Sequence, residues 1–177
     1  MDLTQQIYHL FDGFQNKECY VWKGSDSDGR PYSENKIENQ LNQIKANSPI
    51  PLPEDYCQVF RVFGGGGFED RRKHQVMPDM AFWTWDEIQD FHDTMCFFDD
   101  CPNGLPFADD SGDMVYFMLY ENGSCRLYMT EKSTFWDEES RIKIADSFTQ
   151  LFTDEEVQRL FRNYFSYGYD RGDDGRS

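Results

Sequence analysis

The sequence has little positive charge. Its 177 residues include 17 lysines and arginines against 33 aspartates and glutamates, which leaves a formal net charge of -16. A surplus of this size opposes binding to phosphate backbones and to anionic membrane surfaces. We therefore expect neither a nucleic-acid partner nor a membrane partner. A basic protein partner is favoured instead, although acidic residues also serve simply to keep proteins in solution.

Cysteine pairs, histidines and long apolar runs are also scarce. The five cysteines form an odd set without a Cys-x-x-Cys pair, so we expect reduced thiols rather than a disulfide framework or a zinc knuckle. None of the three histidines stands in a recognised arrangement with a serine or a cysteine. No apolar run approaches the ~20 residues of a membrane span, and the first residues lack the pattern of a signal peptide. These absences predict a cytoplasmic protein, and its length fits a single domain.

Three patterns could carry chemistry, but each also fits a structural role. The glycines Gly64–Gly67 are not followed by Gly-Lys-Ser or Gly-Lys-Thr, so they predict a turn rather than a phosphate loop. His92 and Cys96 lie one helical turn apart beside a buried stripe, which favours a place in the core or at its boundary. The aspartates of the 109–113 turn could hold a divalent cation, yet no lysine or histidine accompanies them as a base or transition-state stabiliser. The sequence therefore predicts no enzyme, no catalytic residue, no bound metal and no cofactor.

The spacing of apolar residues predicts helices toward both ends of the chain and strands between them. Helical stripes run over residues 3–14, 37–44, 56–63, 88–95 and 157–164, and a further helix begins near Ser147. Capping boxes at Thr84-x-x-Glu87 and Thr153-x-x-Glu156 mark two helix starts. Short strands are predicted at 18–23, 80–84 and 141–145, and the tryptophans, Trp136 included, are assigned to packing.

The clearest local signal is a hairpin between 114–120 and 124–129. Asn122-Gly123 separates these two strand-like runs, and both residues tolerate the positive φ that a two-residue turn requires. Together with the helices, the hairpin predicts an α+β fold: one domain over residues 1–167 with a central antiparallel, or mixed, sheet. Residues 168–177 are glycine and charge, which predicts a disordered tail.

Four segments, in this order, carry a resemblance to a known family: Leu52-Pro53-Glu54-Asp55-Tyr56, the glycine run, the acidic turn with its hairpin, and Ala145-Asp146-Ser147-Phe148. Over about residues 33–152 the chain resembles the SUKH superfamily, the Smi/Knr-like group that is rich in bacterial toxin-immunity proteins. The resemblance implies framework roles. Leu52 and Pro53 would start a helix, Gly66 and Gly67 would turn the chain, and Phe148 would fill the core, while Asp113 would lead into the hairpin.

The resemblance also implies a function. A bacterial immunity protein of this kind binds a cognate polymorphic or contact-dependent toxin, often a nuclease, and neutralises it by blocking its surface. The acidic chain would match a basic toxin electrostatically. Two other hypotheses are an intracellular adaptor or regulatory scaffold and, less favoured, a metal-dependent hydrolase built on the aspartates of the 109–113 turn.

Acidic side chains in turns are the candidates for partner binding. The predicted set is Glu69, Asp70, Asp99, Asp100, Asp109, Asp110 and Asp113. The first two are expected in a loop that follows the glycine turn and reaches the same edge as the other five. For Asp109 and Asp110 there is a structural alternative, in which each carboxylate accepts hydrogen bonds from the backbone of its own turn.

Overall fold

The computed structural model describes residues 2–11, 19–71 and 77–169, with the side chains of the last helix described as far as Asn163. In chain order the elements are α1 (Leu3–Leu10), β1 (Cys19–Trp22), α2 (Glu34–Asn47), α3 (Glu54–Phe63), β2 (Gly67–Asp70), β3 (Met80–Phe82), α4 (Trp85–Met95), α5 (Phe97–Asp100), β4 (Gly104–Asp109), β5 (Met114–Glu121), β6 (Ser124–Glu131), a 3₁₀ turn (Glu138–Ser140), β7 (Ile142–Ala145), α6 (Phe148–Thr153) and α7 (Glu155–Tyr169).

The seven strands of the described residues form one sheet. They lie in chain order from β1 to β7, and every neighbouring pair is antiparallel. The predicted α+β class with a central antiparallel sheet is confirmed. The mixed sheet that the sequence left open is not found among these strands.

The predicted hairpin forms between β5 and β6. Asn122 and Gly123 adopt φ values of 51° and 82°, and the pair Glu121 and Ser124 closes the ladder around them. Both turn residues are thus left-handed, as a tight turn that follows the right-handed twist of two strands requires.

Helices cover both faces of the sheet. Tyr116 and Phe117 are neighbours on β5 and therefore point to opposite faces. The Tyr116 ring lies 5.7 Å from Phe161 of α7. On the other face the Phe117 ring lies 5.8 Å from Phe97 of α5. Phe148 of α6 is fully buried, as the resemblance implied.

The four glycines of the run have two different structural roles. Gly64 and Gly65 take positive φ values of 58° and 79° and end α3. Gly66 and Gly67 do not turn the chain in this way, so that expectation is wrong. They are needed for close packing, because a Cβ added to Gly66 would lie 2.1 Å from the Trp22 carbonyl oxygen and one added to Gly67 would lie 2.0 Å from that of Met80.

The N-cap of α7 is Asp154, one residue later than predicted. Thr153 is still a helical residue of α6, and its hydroxyl donates to the Thr149 carbonyl. Asp154 has the extended backbone that an N-cap requires, and its Oδ1 accepts from the backbone N–H groups of Glu156 and Val157. Leu160, predicted to be buried, is 46% exposed.

Some predicted features lie outside the described residues. These are Phe14 of the first stripe, Glu18 of the first strand, the Tyr164 side chain and residues 170–177 of the tail. The first two residues of the predicted tail, Gly168 and Tyr169, belong to α7.

Candidate partner-binding surfaces

Five of the seven candidate acidic residues lie at one end of the sheet. Ala81 of β3 is paired with Gly67 on one side and with Asp109 on the other. Gly67, Ala81 and Asp109 therefore lie side by side across three strands. Strands β2 and β4 run in the same direction, so Glu69 and Asp70 follow Gly67 toward the same end of the sheet that Asp110 reaches after Asp109. The predicted meeting of the two acidic segments therefore occurs, but Glu69 and Asp70 lie in a strand, and their expected position in a loop is wrong. We call Glu69, Asp70, Asp109, Asp110 and Asp113 the sheet-end group.

Asp79 lies among the residues of the sheet-end group, although the sequence did not indicate it as a candidate. Its Oδ1 accepts a hydrogen bond from the Asp70 backbone N–H at 3.1 Å. Burial raises the pKa of the Asp79 carboxyl, the hydrogen bond from Asp70 lowers it, and the charges of Glu69, Asp70 and Asp110 raise it further, with a net increase. The field at this end of the sheet is thus negative enough to oppose one more ionised carboxyl.

The turn carboxylates are engaged in the fold. Asp109 Oδ2 lies 2.7 Å from Lys132 Nζ, and their side chains are 16% and 30% exposed. Asp109 Oδ1 accepts from the Ser111 backbone N–H at 3.1 Å. Asp110 Oδ1 accepts from the N–H groups of Gly112 at 2.8 Å and Met114 at 3.1 Å. The structural alternative stated for these two aspartates is therefore the one observed.

Lys132 overturns the expectation that no lysine accompanies these aspartates. The pairing of Met114 with Glu131 brings the end of β6 beside the turn, and the Lys132 N–H donates to the Asp113 carbonyl at 2.7 Å. The Lys132 ammonium also donates to the Gly112 carbonyl at 2.7 Å. A lysine placed this way neutralises part of the acidic turn.

The two members of the sheet-end group on β2 are also constrained. The Asp70 residue is only 4% exposed. Glu69 accepts two hydrogen bonds from Arg71, at 2.7 and 2.8 Å, and these bonds lower the pKa of its carboxyl. Asp113 is exposed. Only part of the sheet-end group is therefore open to a partner.

Asp99 and Asp100 lie elsewhere, at the opposite end of β4. They form the end of α5, and both are exposed. The six residues of β4 then carry the chain roughly 17 to 20 Å across the sheet before Asp109 is reached. The prediction of one continuous acidic edge over residues 99–113 is wrong, because nearness along the sequence is cancelled by an extended strand.

Contacts of Cys101, the residue after α5, bring a second acidic segment near Asp99 and Asp100. Cys101 Sγ accepts from the Arg141 guanidinium at 3.1 Å and lies 3.9 Å from the Phe135 carbonyl oxygen. Burial raises the pKa of this thiol, Arg141 lowers it, and Asp100 and Glu138 both raise it, with a net increase. The segment 137–139, which reads Asp-Glu-Glu, is thereby held beside the end of α5.

Trp136 lies in this second acidic segment with 59% of its surface exposed. The assignment of the tryptophans to packing is right for Trp83, which is 8% exposed, and wrong for Trp136. Its neighbour Phe135 is buried, with ring centroids 5.1 Å from Phe97 and 5.8 Å from Phe91. The signal in the sequence was an aromatic pair followed by three acidic residues, a composition that places the end of this segment at the surface.

A comparison with known protein families identifies the family of this chain. The model of the SMI1/KNR4 family (SUKH-1) matches residues 37–154. The chain belongs to the SMI1/KNR4 family. No curated protein matches the chain. The matched range includes Asp99, Asp100 and Trp136, and it leaves out α1, β1 and all of α7.

The described part of this SMI1/KNR4 protein has neither a cluster of metal ligands nor a membrane-spanning helix. Within those residues, no group of three or more histidine, cysteine or acidic side chains is arranged to hold a metal ion. His92 Nδ1 accepts the Phe98 backbone N–H at 3.2 Å, so one imidazole nitrogen already serves the turn between α4 and α5. None of the helices in the same residues is long and apolar enough to cross a bilayer.

Proposed function

We propose that this SMI1/KNR4 protein is an immunity protein that binds a bacterial protein toxin and neutralises it by covering its surface. The observation that carries the proposal is membership of the family across residues 37–154. The resemblance noted in the sequence links this family to toxin immunity. The formal net charge of -16 supports a toxin whose exposed surface is basic.

Blocking by contact requires no chemistry from the inhibitor. A toxin that acts on nucleic acid needs a positively charged groove for the phosphate backbone. A rigid acidic protein seated on such a groove excludes the substrate by occupying its volume and by replacing its charge. We therefore propose a stoichiometric inhibitor that acts in the cytoplasm, with no turnover and no cofactor.

The contacts of the turn aspartates favour binding over hydrolysis. A hydrolase at this turn would need carboxylate oxygens free to hold a cation. Here Asp109 is paired with Lys132, and Asp110 accepts two backbone N–H groups. Their observed role is to shape the turn before β5.

The proposal predicts that a gene beside that of this chain encodes a toxin domain, and it is tested with that domain. Co-expression of the chain should restore growth to cells that produce the active toxin domain, and the purified chain should inhibit that domain at a one-to-one ratio. A charge-matched acidic protein from another family is the control for nonspecific attraction. A chain that binds the domain without suppressing its activity would support the adaptor hypothesis instead, and a chain that neither binds nor protects would refute immunity.

A further inference from the structure

Given the proposed function, on which this inference rests, we propose that Trp136 and the acidic side chains around it are the surface that binds the toxin. We call this the Trp136 surface, and its members are Trp136, Asp99, Asp100, Asp137, Glu138 and Glu139. The matching partner surface is a basic protein patch with an apolar depression that receives the indole, rimmed by lysine or arginine side chains.

The exposure of Trp136 is the first observation. A tryptophan carries a large apolar area, and transfer of that area from water is favourable by roughly 25 cal/mol per Å². At 59% exposure most of this gain is not realised within the chain. Tryptophan is also among the residues that most often dominate the affinity of protein interfaces.

The second observation is that Trp136 is held in place. Its indole N–H donates to the Ser133 carbonyl at 3.0 Å. The Ser140 hydroxyl lies 2.7 Å from the carbonyl oxygens of both Thr134 and Asp137, which closes the loop around the tryptophan. With Phe135 anchored in the core beneath it, little freedom remains to be lost when a partner binds.

The third observation is the sign of the surrounding charge. The members of the Trp136 surface other than the tryptophan are all carboxylates, and Asp99, Asp100, Glu138 and Glu139 are exposed. Arg141, whose side chain is 11% exposed, donates to Cys101 and the Phe135 carbonyl, and it also lies 3.8 Å from Glu138, so it offsets part of the charge of that one carboxylate. The outward field is therefore negative around an aromatic centre, which suits lysine or arginine at the rim and a guanidinium against the indole face.

Tyr20 offers a matched comparison. It is also 59% exposed, and its ring stacks on Trp22 with centroids 5.6 Å apart. It faces a cleft lined in part by Lys23 and Glu69, the second of which is paired with Arg71. Because the charges there are mixed, a basic partner gains less from this region than from the Trp136 surface.

The decisive experiment measures affinity for the toxin domain encoded beside the gene, used as a catalytically inactive variant in isothermal titration. Trp136→Ala should raise Kd by at least about thirty-fold, as expected for a central aromatic anchor, whereas Tyr20→Ala should change it by less than about three-fold. Melting temperatures of both variants should match the wild type, since each side chain is mostly exposed.

A second pair of variants tests the charge without removing the tryptophan. Glu139→Lys and Asp28→Lys change the net charge equally, and both side chains are exposed. Glu139 precedes β7 and Asp28 follows β1, and these two strands are the opposite edges of the sheet. Glu139→Lys should slow association at low salt by roughly ten-fold, and Asp28→Lys should have a markedly smaller effect.

The outcomes separate this inference from the proposed function. If the wild type binds the toxin domain and Trp136→Ala binds it with the same Kd, the assignment of the Trp136 surface is overturned, whereas the proposed immunity function is not. A larger loss with Tyr20→Ala or Asp28→Lys would overturn it as well and place the contact elsewhere. Absence of binding and protection by the wild type would overturn both.

Discussion

Asp110 organises the turn before β5 with a single oxygen. Its Oδ1 accepts two backbone N–H groups, from Gly112 and Met114. We expect Asp110→Ala to lower the free energy of unfolding by about 1 to 3 kcal/mol, because both donors lose their partner. Asp110→Asn keeps an acceptor oxygen at this position and should lose less. Urea denaturation measures the difference, and Asp113→Ala, at an exposed position of the same turn, should remain within about 0.5 kcal/mol of the wild type. Equal stability of all four proteins would mean that the turn does not depend on this carboxylate.

Asp79 makes stability depend on pH in an unusual direction. Burial and the neighbouring acids raise the pKa of its carboxyl in the folded protein above the ordinary value of about 3.9. The folded state therefore binds this proton more tightly than the unfolded state, so the contribution of Asp79 is favourable at low pH and is lost as pH rises through the raised pKa.

The substitution Asp79→Asn tests this pH dependence. It keeps an oxygen for the Asp70 N–H and removes the charge, so we expect the variant to be more stable than the wild type at pH 7, by roughly 0.5 to 1 kcal/mol. The advantage should shrink toward pH 4. Thermal unfolding across this pH range measures it, with Asp113→Asn as a control for the same change in net charge. An advantage that grew on acidification would contradict the assigned cause.

At the scale of the elements, two glycines are required for different reasons. Gly123 has a φ of 82° and open space where a Cβ would stand, so Gly123→Ala should be destabilised by about 1 kcal/mol through the backbone alone. Gly66→Ala would place its Cβ against the Trp22 carbonyl, and it should lose more than about 3 kcal/mol or fail to fold. Chemical denaturation of the two variants gives the order. A milder effect at Gly66 would mean that β1 can move away from β2.

The elements themselves were largely predictable from local chemistry. The hairpin was predicted because few residues other than Asn and Gly tolerate the positive φ of its turn. Helix α4 was predicted because Thr84 and Glu87 form the capping box that their spacing in the sequence indicates. The start of α7 was missed because Thr153 and Asp154 are both good caps. Only the extent of α6 decides between them, because that helix includes Thr153 and leaves Asp154 in the extended conformation of an N-cap.

At the scale of the whole molecule, the net charge of -16 should govern the rate at which a basic toxin is captured. The Debye length falls from about 30 Å at 0.01 M to about 8 Å at 0.15 M ionic strength, so long-range attraction is largely screened at the higher value. We expect the association rate constant for the toxin domain encoded beside the gene to fall roughly ten-fold or more over this interval, with a much smaller change in dissociation. Stopped-flow mixing measures both. An association rate indifferent to salt would mean that charge does not guide the encounter.

The sequence by itself determined the class of fold, the hairpin and the acidic character of the chain, because periodicity, turn chemistry and net charge are properties of local residues. It also contained the seven acidic candidates, but it could not say which of them remain available. Pairing of β5 with β6 brings Lys132 to Asp109, and pairing of β2 with β1 and β3 places Asp70 in a strand, where it is buried. Strand β4 separates Asp99 and Asp100 from the 109–113 turn, and the contacts of Cys101 join them to the segment of Trp136. Only the tertiary structure decided these neighbours, because each arises from contacts between residues that are distant in the chain.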